Sequence, residues 1–159
     1  MNENVVFFWD GPFSQWYQSD FIYRGIKFCT AEQFMMYHKA MFMGDEKTAE
    51  LVLKSASPKI QKALGRSVEN FSPKLWDKVK RDVVYMGNWL KFTQNDDLKK
   101  MLLDTGDKLI VEASPYDLIW GIGLSAGEAK NTPQEDWLGQ NLLGLAIMEV
   151  RTDLKTLIK

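Results

Sequence analysis

Glu32 and Lys39 form the first pair of residues in this sequence whose types and spacing could do chemistry. Thr30 and Gln33 make a capping-box pattern, which predicts a helix that begins at Ala31 with Glu32 in its first turn. The separation of the pair is about two helical turns, so both side chains project from one face, and the lysine leans back toward the carboxylate. An acid and an amine on a partly apolar face are costly unless they have a partner or a function. The alternative is an ordinary glutamate that interacts with the helix dipole.

A second acidic site is Asp117, which lies shortly before Trp120. The preceding Ser114 and Pro115 favour an extended or turning backbone. Asp117 is then either the cap of a short turn that carries Trp120 or a functional carboxylate beside an aromatic wall. Residues 121–137 contain three glycines, one proline and few apolar residues, which predicts a long surface loop. Such a loop is either a binding lid or a passive connection.

Two cationic residues could bind a phosphate group. Arg66 follows Gly65, which is expected to close the third helix in the left-handed conformation, and Lys91 lies near the end of a long predicted helix. Each cation either interacts with the last helical carbonyl groups or holds a phosphate, which an arginine can clamp with two hydrogen bonds. Six tryptophans either build the core or stack on a planar base. The residues thus indicate a cationic, aromatic-lined pocket with two acidic sites, suited to a phosphorylated heterocycle, and they leave the reaction open.

The composition argues against metal-dependent and histidine-dependent chemistry. His38 is the only histidine and Cys29 the only cysteine, so thiolate clusters, an intramolecular disulfide and Ser-His-Asp catalysis are not expected. His38 is interpreted as a packed or surface residue of the first helix. Gly121-Ile122-Gly123 lacks the third glycine of a dinucleotide-binding fingerprint. We therefore expect neither a metal nor a cofactor.

The overall composition is that of a globular protein in a reducing compartment. The 159 residues fit one domain spanning 1–159, with 45% hydrophobic and 26% charged residues. A net charge of −1 provides no general basic field for duplex nucleic acid. The N-terminus lacks a basic region followed by an apolar stretch, and no apolar run approaches the roughly 20 residues that span a bilayer. We expect a soluble, cytoplasmic protein with no membrane contact.

Hydrophobic periodicity and turn signals predict several helices and few strands. The apolar run 5–9 is a strand candidate, and 21–23 with 26–28 should form a β-hairpin around Arg24-Gly25. The first helix should cover 31–43. The other elements are expected as helices over 46–54, from Pro58 to Gly65, from Ser72-Pro73 to about 90, over 97–103 and over 142–157 with Asn141 as its cap, and as a strand over 109–111.

The motifs form a series of short blocks along the chain. They are Phe13-Ser14-Gln15-Trp16, Thr30-Ala31-Glu32-Gln33-Phe34 with Lys39, Leu64-Gly65-Arg66, Trp76, Lys91-Phe92, Leu109-Ile110-Val111-Glu112, Asp117-Leu118-Ile119-Trp120-Gly121 and Asn141-Leu142-Leu143-Gly144. In this order and approximate spacing, from about Phe7 to Arg151, they resemble the YbiA-like, or NADAR, family. One departure is Gln15, because the family commonly has asparagine there, so the substrate contacts at this position could differ.

The resemblance implies a compact, mainly helical α+β domain with a short N-terminal β-hairpin and few strands. It also implies an N-glycosidase that hydrolyses the ribose C1′–N bond of early riboflavin-pathway intermediates. These intermediates are ribosylaminopyrimidine 5′-phosphates, and the product is ribose 5-phosphate. Other members of the family remove ADP-ribose from guanine in nucleic acid, which is the first alternative. A non-catalytic module that binds ADP-ribose or NAD is the second alternative.

Motif by motif, the resemblance assigns the family's proposed active-site set to Glu32, Trp76, Asp117 and Trp120, and we add Lys39. The substrate-binding candidates are Arg66, Lys91, Glu112, Asn141, Ser14 and Gln15. Cleavage of a ribose C1′–N bond develops positive charge on the sugar and requires a proton for the leaving nitrogen. We therefore expect Glu32 or Asp117 to orient water and stabilise the charged sugar. The other acid would bind ribose hydroxyls or donate the proton.

The remaining candidates are expected to bind the base and the phosphate. Trp76 and Trp120 would line the site and stack on the base, and Arg66 with Lys39 or Lys91 would hold the phosphate. An alternative route uses one of the two lysines as a nucleophile through an opened sugar and a Schiff base. The partner is thus a small phosphorylated nucleoside-like substrate or, in the first alternative function, ADP-ribosylated nucleic acid.

Overall fold

The computed structural model of the protein describes residues 4–158. This part of the chain contains seven α-helices and four short β-strands, which confirms the prediction of a mainly helical α+β fold. The strands are β1 (Val5–Phe8), β2 (Phe21–Tyr23), β3 (Ile26–Phe28) and β4 (Leu109–Glu112). The helices are α1 (Ala31–Phe42), α2 (Glu46–Lys54), α3 (Pro58–Arg66), α4 (Pro73–Thr93), α5 (Asp96–Asp104), α6 (Ala126–Lys130) and α7 (Leu142–Ile158), and a 3₁₀ turn covers Gln134–Asp136.

The chain divides into two compact units. The central unit is Gln15–Asp96, and the terminal unit consists of the described residues of Met1–Ser14 and Asp97–Lys159. Each unit contains one pair of strands, since β2 pairs with β3 and β1 pairs with β4. The chemistry-bearing residues of each unit are therefore positioned by a different set of elements.

The central unit begins with the β-hairpin of β2 and β3, in which Phe21 lies opposite Phe28. The connecting residues Arg24 and Gly25 have φ angles of 51° and 81°. A two-residue hairpin turn requires left-handed backbone values of this kind, which glycine adopts at no steric cost. The predicted hairpin is thus confirmed, and its turn is the one that the sequence indicates.

Helix α1 contacts α2, α3 and α4 and carries much of the core of the central unit. The ring centroid of Phe34 lies 5.8 Å from that of Phe21 and 5.1 Å from that of Phe28, so the hairpin packs on this helix. The His38 ring lies 4.1 Å from the Phe34 ring, and its Nδ1 is 2.8 Å from the Phe34 carbonyl oxygen. Burial lowers the pKa of His38. The histidine is therefore a packed residue, which is one of its two expected placements.

Gly65 does not close α3 in the left-handed conformation, so this prediction is wrong. The helix continues through Gly65 to Arg66. A β-carbon at position 65 would lie 1.9 Å from the Met36 sulfur, and one at Gly87 would lie 2.8 Å from Cδ1 of Phe34. Gly65 and Gly87 therefore lie where α3 and α4 pack closely against side chains of α1, and not at a chain reversal.

The terminal unit contains a parallel pair of strands, with Val5 opposite Leu109 and Phe8 opposite Glu112. Helix α7 packs on β4. A β-carbon at Gly144 would lie 2.1 Å from the Ile110 carbonyl oxygen, so the helix approaches the strand backbone at this glycine. The core beside the strands comprises Val111, Ile122 and Ala129, packed against by Val5, Phe7, Leu109, Leu124 and Trp137.

Asn141 directly precedes α7 as predicted, and its carbonyl accepts a hydrogen bond from the Leu145 N–H, but its side chain does not cap the helix. The residue has a φ of 52° and is buried. Its Oδ1 accepts a hydrogen bond from the Glu112 N–H at 3.1 Å, and its Nδ2 donates to the Ile110 carbonyl at 3.0 Å. The amide thus pairs with backbone groups of β4 and is not available to the N–H groups of the first turn of α7.

The predicted loop over residues 121–137 is only partly irregular. It contains α6 and the 3₁₀ turn, and its first three residues are buried. The start of α6 has a full capping box, in which Ser125 Oγ accepts from the Glu128 N–H and the Glu128 carboxylate accepts from the Ser125 N–H. This pattern was readable in the sequence as a helix start. The loop prediction is therefore wrong for this part of the segment.

Candidate functional site

Glu32 is held at the start of α1 by hydrogen bonds of the neighbouring residues. The Thr30 hydroxyl accepts from the Gln33 N–H at 3.0 Å, which confirms the predicted cap. The Gln33 side chain accepts from the Cys29 N–H at 2.8 Å instead of from the N–H of Thr30. The Glu32 N–H donates to the Gln15 carbonyl at 2.9 Å. Glu32 is 7% exposed, so a carboxylate is buried at the end of the helix whose dipole favours negative charge.

Lys39 and Arg66 complete what we call the Glu32 cluster (Glu32, Lys39 and Arg66). Burial lowers the pKa of Lys39, the charge of Glu32 opposes this shift, and the charge of Arg66 adds to it. The Lys39 amine lies 4.7 Å from the ring centroid of Phe71. Arg66 is exposed at the end of α3. The cluster thus combines a buried carboxylate, an amine that is less basic than usual and an accessible guanidinium.

Helix α4 contributes Trp76 and Lys91, and both are buried. Lys91 has no exposed surface, and burial lowers the pKa of its amine to about 7. The amine lies 5.2 Å from the ring centroid of Phe92 and 5.8 Å from that of Tyr17. A lysine with a pKa near neutrality is present partly as the free amine, which is the form that acts as a nucleophile.

Asn88 is a polar residue that the sequence analysis did not single out. It is fully buried on α4, one turn before Lys91. Its Nδ2 donates to the Gln15 Oε1 at 2.9 Å and to the Val84 carbonyl at 2.8 Å. Its Oδ1 has no hydrogen-bond partner among the described residues. The available signal was an asparagine at helical spacing from apolar positions of a long helix.

Asp117 caps a short turn in the terminal unit. Its Oδ1 accepts from the N–H groups of Ile119 at 2.9 Å and Trp120 at 2.8 Å, which confirms the predicted cap. Asp117 and Trp120 are half-buried. Tyr116 is 88% exposed and lies edge-on to Trp9 with 6.3 Å between ring centroids. The aromatic surface beside this carboxylate thus includes two residues that sequence reasoning missed. A role of Asp117 and Trp120 in catalysis stays a prediction.

The other candidates of the terminal unit have structural hydrogen bonds. Glu112, the last residue of β4, donates its N–H to Asn141, and its carbonyl accepts from the Ile122 N–H at 2.9 Å. Ser14 donates its N–H to the Gly11 carbonyl at 2.9 Å. Their backbones are thereby fixed, and their contribution to substrate binding stays a prediction.

No group of three or more His, Cys, Asp or Glu side chains within residues 4–158 could hold a metal ion. Among the helices in that range, none combines the length and the apolar character needed to cross a membrane.

Comparison with known proteins identifies the family. The NADAR domain model matches residues 7–155. The N-glycosidase R617 of Acanthamoeba polyphaga mimivirus is 49% identical over 146 residues, which cover 89% of this chain and 86% of that protein. The chloroplastic riboflavin biosynthesis protein PYRR of Zea mays is 31% identical over 132 residues, or 79% of this chain but 19% of that protein. The NMR structure of the Escherichia coli protein YbiA is similar with a TM-score of 0.81 and 26% identity, covering 99% of this chain and 89% of that one.

The chain therefore belongs to the NADAR domain family, as the order of its motifs predicted. It shares the fold of YbiA. The protein is an enzyme, a glycosidase that hydrolyses N-glycosyl compounds.

The buried amine of Lys91 should make stability depend on pH. Below about pH 7, both the folded and the unfolded chain bind the proton, and burial of the charge destabilises the fold fully. Between pH 7 and the usual pKa of 10.5, only the unfolded chain retains the proton, so the free energy of unfolding rises with pH. One proton sets an upper limit of about 1.4 kcal/mol per pH unit. We expect Lys91→Met to lose this rise in urea unfolding between pH 7 and 10.

Lys74→Met is the matched control for removal of a lysine from α4, because Lys74 is exposed at the other end of the helix. It should retain the pH profile of the wild type. Parallel profiles for the wild type and Lys91→Met would contradict the assignment of a near-neutral amine to Lys91.

Two substitutions separate the capping role of Asp117 from a chemical role. Asp117→Asn keeps a side-chain oxygen for the N–H groups of Ile119 and Trp120, whereas Asp117→Ala removes it. Loss of such a cap costs about 0.5–2 kcal/mol, so only the alanine variant should lose stability of that size in thermal or urea unfolding. If the carboxylate takes part in the reaction, Asp117→Asn will fold normally and lose glycosidase turnover. Full turnover by the asparagine variant would limit Asp117 to its structural role.

Proposed function

We propose that the enzyme hydrolyses the ribose C1′–N bond of ribosylaminopyrimidine 5′-phosphates, the early intermediates of riboflavin synthesis, and releases ribose 5-phosphate. The observation that carries the proposal is the Glu32 cluster, in which Lys39 interacts electrostatically with the buried carboxylate of Glu32 and with the guanidinium of Arg66. The similarity to PYRR, a riboflavin biosynthesis protein by name, supports the choice of substrate.

The proposed reaction needs one group that activates water and one that provides a proton. As the C1′–N bond breaks, its electron pair leaves with the nitrogen, and the sugar becomes oxocarbenium-like. Glu32 would accept a proton from the attacking water, whose oxygen bonds to C1′, while the leaving nitrogen takes up a proton and departs as the free amine. Burial strengthens the interaction of the carboxylate with the developing positive charge because water screens it less there.

Arg66 is the proposed ligand of the 5′-phosphate. Its guanidinium is exposed, and its planar fork matches two phosphate oxygens. Lys39, which is coupled to both Glu32 and Arg66, would add positive charge between the carboxylate and the phosphate. Lys91 is less suited to this task, since it has no exposed surface.

The remaining candidates are proposed to bind the base and the ribose. Trp76 and Trp120 would provide planar apolar contacts for the pyrimidine. Asp117 is the proposed second acid, for the ribose hydroxyls or the leaving group. Hydrogen bonds with Glu112, Asn141, Ser14 and Gln15 would orient the substrate.

Product analysis by mass spectrometry tests both the reaction and the substrate. The wild type and Glu32→Gln are given fresh ribosylaminopyrimidine phosphate and, separately, an ADP-ribosylated guanine oligonucleotide. We expect ribose 5-phosphate from the first substrate only, with turnover about 10²–10⁴-fold lower in Glu32→Gln. Binding of ribose 5-phosphate, measured by calorimetry, should change far less because the fold of the isosteric variant is kept.

Glu46→Gln is the matched control, since Glu46 lies in the first turn of α2 and is exposed. It should retain full turnover. Free ADP-ribose from the oligonucleotide alone would replace the proposal by ADP-ribosyl hydrolysis. If Glu32→Gln loses binding and turnover equally, Glu32 binds substrate and is not the catalytic base.

Because burial lowers the pKa of Lys39 and of Lys91, the main alternative to direct attack by water is a covalent route through one of these amines. A lysine amine would add to C1′ of the opened sugar, displace the base as an amine and leave an imine that water hydrolyses. Borohydride delivers hydride to such an imine and fixes the sugar on the lysine. We expect no adduct during turnover, by intact-protein mass spectrometry. An adduct that disappears in Lys39→Met or Lys91→Met would transfer the nucleophilic role from water to that lysine.

A further inference from the structure

The orientation of the Asn88 amide is fixed by the backbone of its own helix. The Val84 carbonyl can only accept a hydrogen bond, so the Asn88 group 2.8 Å from it must be the NH₂. The second N–H of the same NH₂ lies 2.9 Å from Gln15, so the Gln15 atom facing it must be Oε1. Rotation of the Asn88 amide would place two acceptors against each other at both contacts.

This arrangement determines which atom Gln15 presents on its other side. With Oε1 turned to Asn88, the Gln15 NH₂ faces away, and it lies 4.0 Å from the Met35 sulfur, which is a weak acceptor. Met35 follows Glu32 by one turn on α1, and the Gln15 carbonyl accepts from the Glu32 N–H. Gln15 is half-buried, whereas Asn88 is fully buried. Among residues 4–158, the Gln15 NH₂ therefore has only the Met35 sulfur as a side-chain acceptor, close to the start of α1 where Glu32 lies.

We propose that Asn88 is a positioning residue that makes Gln15 an obligatory hydrogen-bond donor to an oxygen atom of the substrate. This inference rests on the proposed function and adds a rule of specificity to it. The substrate atom that meets Gln15 is an acceptor, such as a ribose or carbonyl oxygen, and an N–H group there is rejected because it would meet the N–H groups of Gln15.

A purely structural role of Asn88 explains its burial less well than a role in orienting Gln15. The Asn88 Oδ1 has no hydrogen-bond partner among residues 4–158, so the amide is kept in the core although half of its bonding capacity is unused there. An apolar side chain of similar size would leave no such group. Only the NH₂ of Asn88 makes hydrogen bonds. One goes to the Val84 carbonyl, and the other goes to Gln15, where it determines the orientation of the Gln15 amide.

Asn88→Asp and Gln15→Met test the inference. An aspartate at 88 offers oxygens, so the Gln15 amide should turn its NH₂ inward and expose Oε1, whereas methionine at 15 removes the donor and keeps the shape. We expect the KM for ribosylaminopyrimidine phosphate to rise about 10-fold in Gln15→Met and about 100-fold in Asn88→Asp, with a much smaller change in kcat. Asn95→Asp is the matched control, since the Asn95 NH₂ also donates two hydrogen bonds, in its case to the backbone carbonyls of Asp20 and Lys91 and not to another side chain.

A direct readout is the side-chain NH₂ signal of Gln15 in ¹H–¹⁵N NMR spectra, assigned by its loss in Gln15→Met. In the wild type, saturation with ribose 5-phosphate or with the aminopyrimidine product should shift this signal, and in Asn88→Asp neither ligand should do so. An unchanged KM in Gln15→Met, or an unshifted signal in the saturated wild type, would overturn the inference even if Asn88→Asp does not fold. A shifted signal without release of ribose 5-phosphate would preserve the inference for binding and refute the proposed function.

Discussion

The buried polar network at the start of α1 is the constraint on which the central unit depends. The Thr30 hydroxyl donates to Gln61 at 2.6 Å, and the Gln61 NH₂ donates to the Ser55 carbonyl at 2.7 Å. The Gln33 NH₂ donates to the carbonyls of Val52 and Ser55 at the end of α2. Because buried polar groups must be paired, these bonds fix the ends of three helices together. Glu32 lies between Thr30 and Gln33 in the chain, so the network that orders the helices also places the carboxylate.

Helix α4, in contrast to this paired network, contains buried polar groups whose burial costs stability. Lys91 is buried with its amine at a pKa of about 7, and Asn88, one turn earlier, leaves a buried oxygen without a partner among the described residues. An unpaired buried acceptor costs about 1–3 kcal/mol. Natural proteins keep such costs mainly at sites where activity requires them. The two residues therefore make this face of α4 the natural place to test for function, although neither lies in the Glu32 cluster.

The fold was predictable from sequence wherever a local signal decides the structure. The Arg24-Gly25 turn, the Thr30 cap and the proline at the start of α4 act within a few residues, and all three were placed correctly. The roles of Gly65 and of the Asn141 side chain were not foreseen because they depend on distant partners. Gly65 makes room for Met36, and Asn141 bonds to the backbone of β4. Neither partner can be inferred from neighbours in the sequence.

The candidate site was also predictable only where residues close together in the sequence determine it. The spacing of Glu32 and Lys39 on one helix predicted their coupling. Arg66 was a phosphate-binding candidate from its place at a helix end, but nothing in the sequence indicated that it would interact with Lys39. Asn88 was missed because an asparagine on a long helix carries no motif. Its importance arises from a contact with Gln15 that spans most of the central unit in sequence.

The contact between Asn88 and Gln15 also gives physical meaning to the departure at position 15. An asparagine there, as is common in the family, would be shorter by one carbon–carbon bond, about 1.5 Å. Its amide would stop short of the Asn88 NH₂, which now lies 2.9 Å from Gln15. One of the two N–H groups of Asn88 would then lack its acceptor in a buried place, which is costly, while the other would still donate to the Val84 carbonyl. Gln15 and Asn88 therefore depend on each other, and a substitution at one position changes which side chain the other position needs to complete its hydrogen bond.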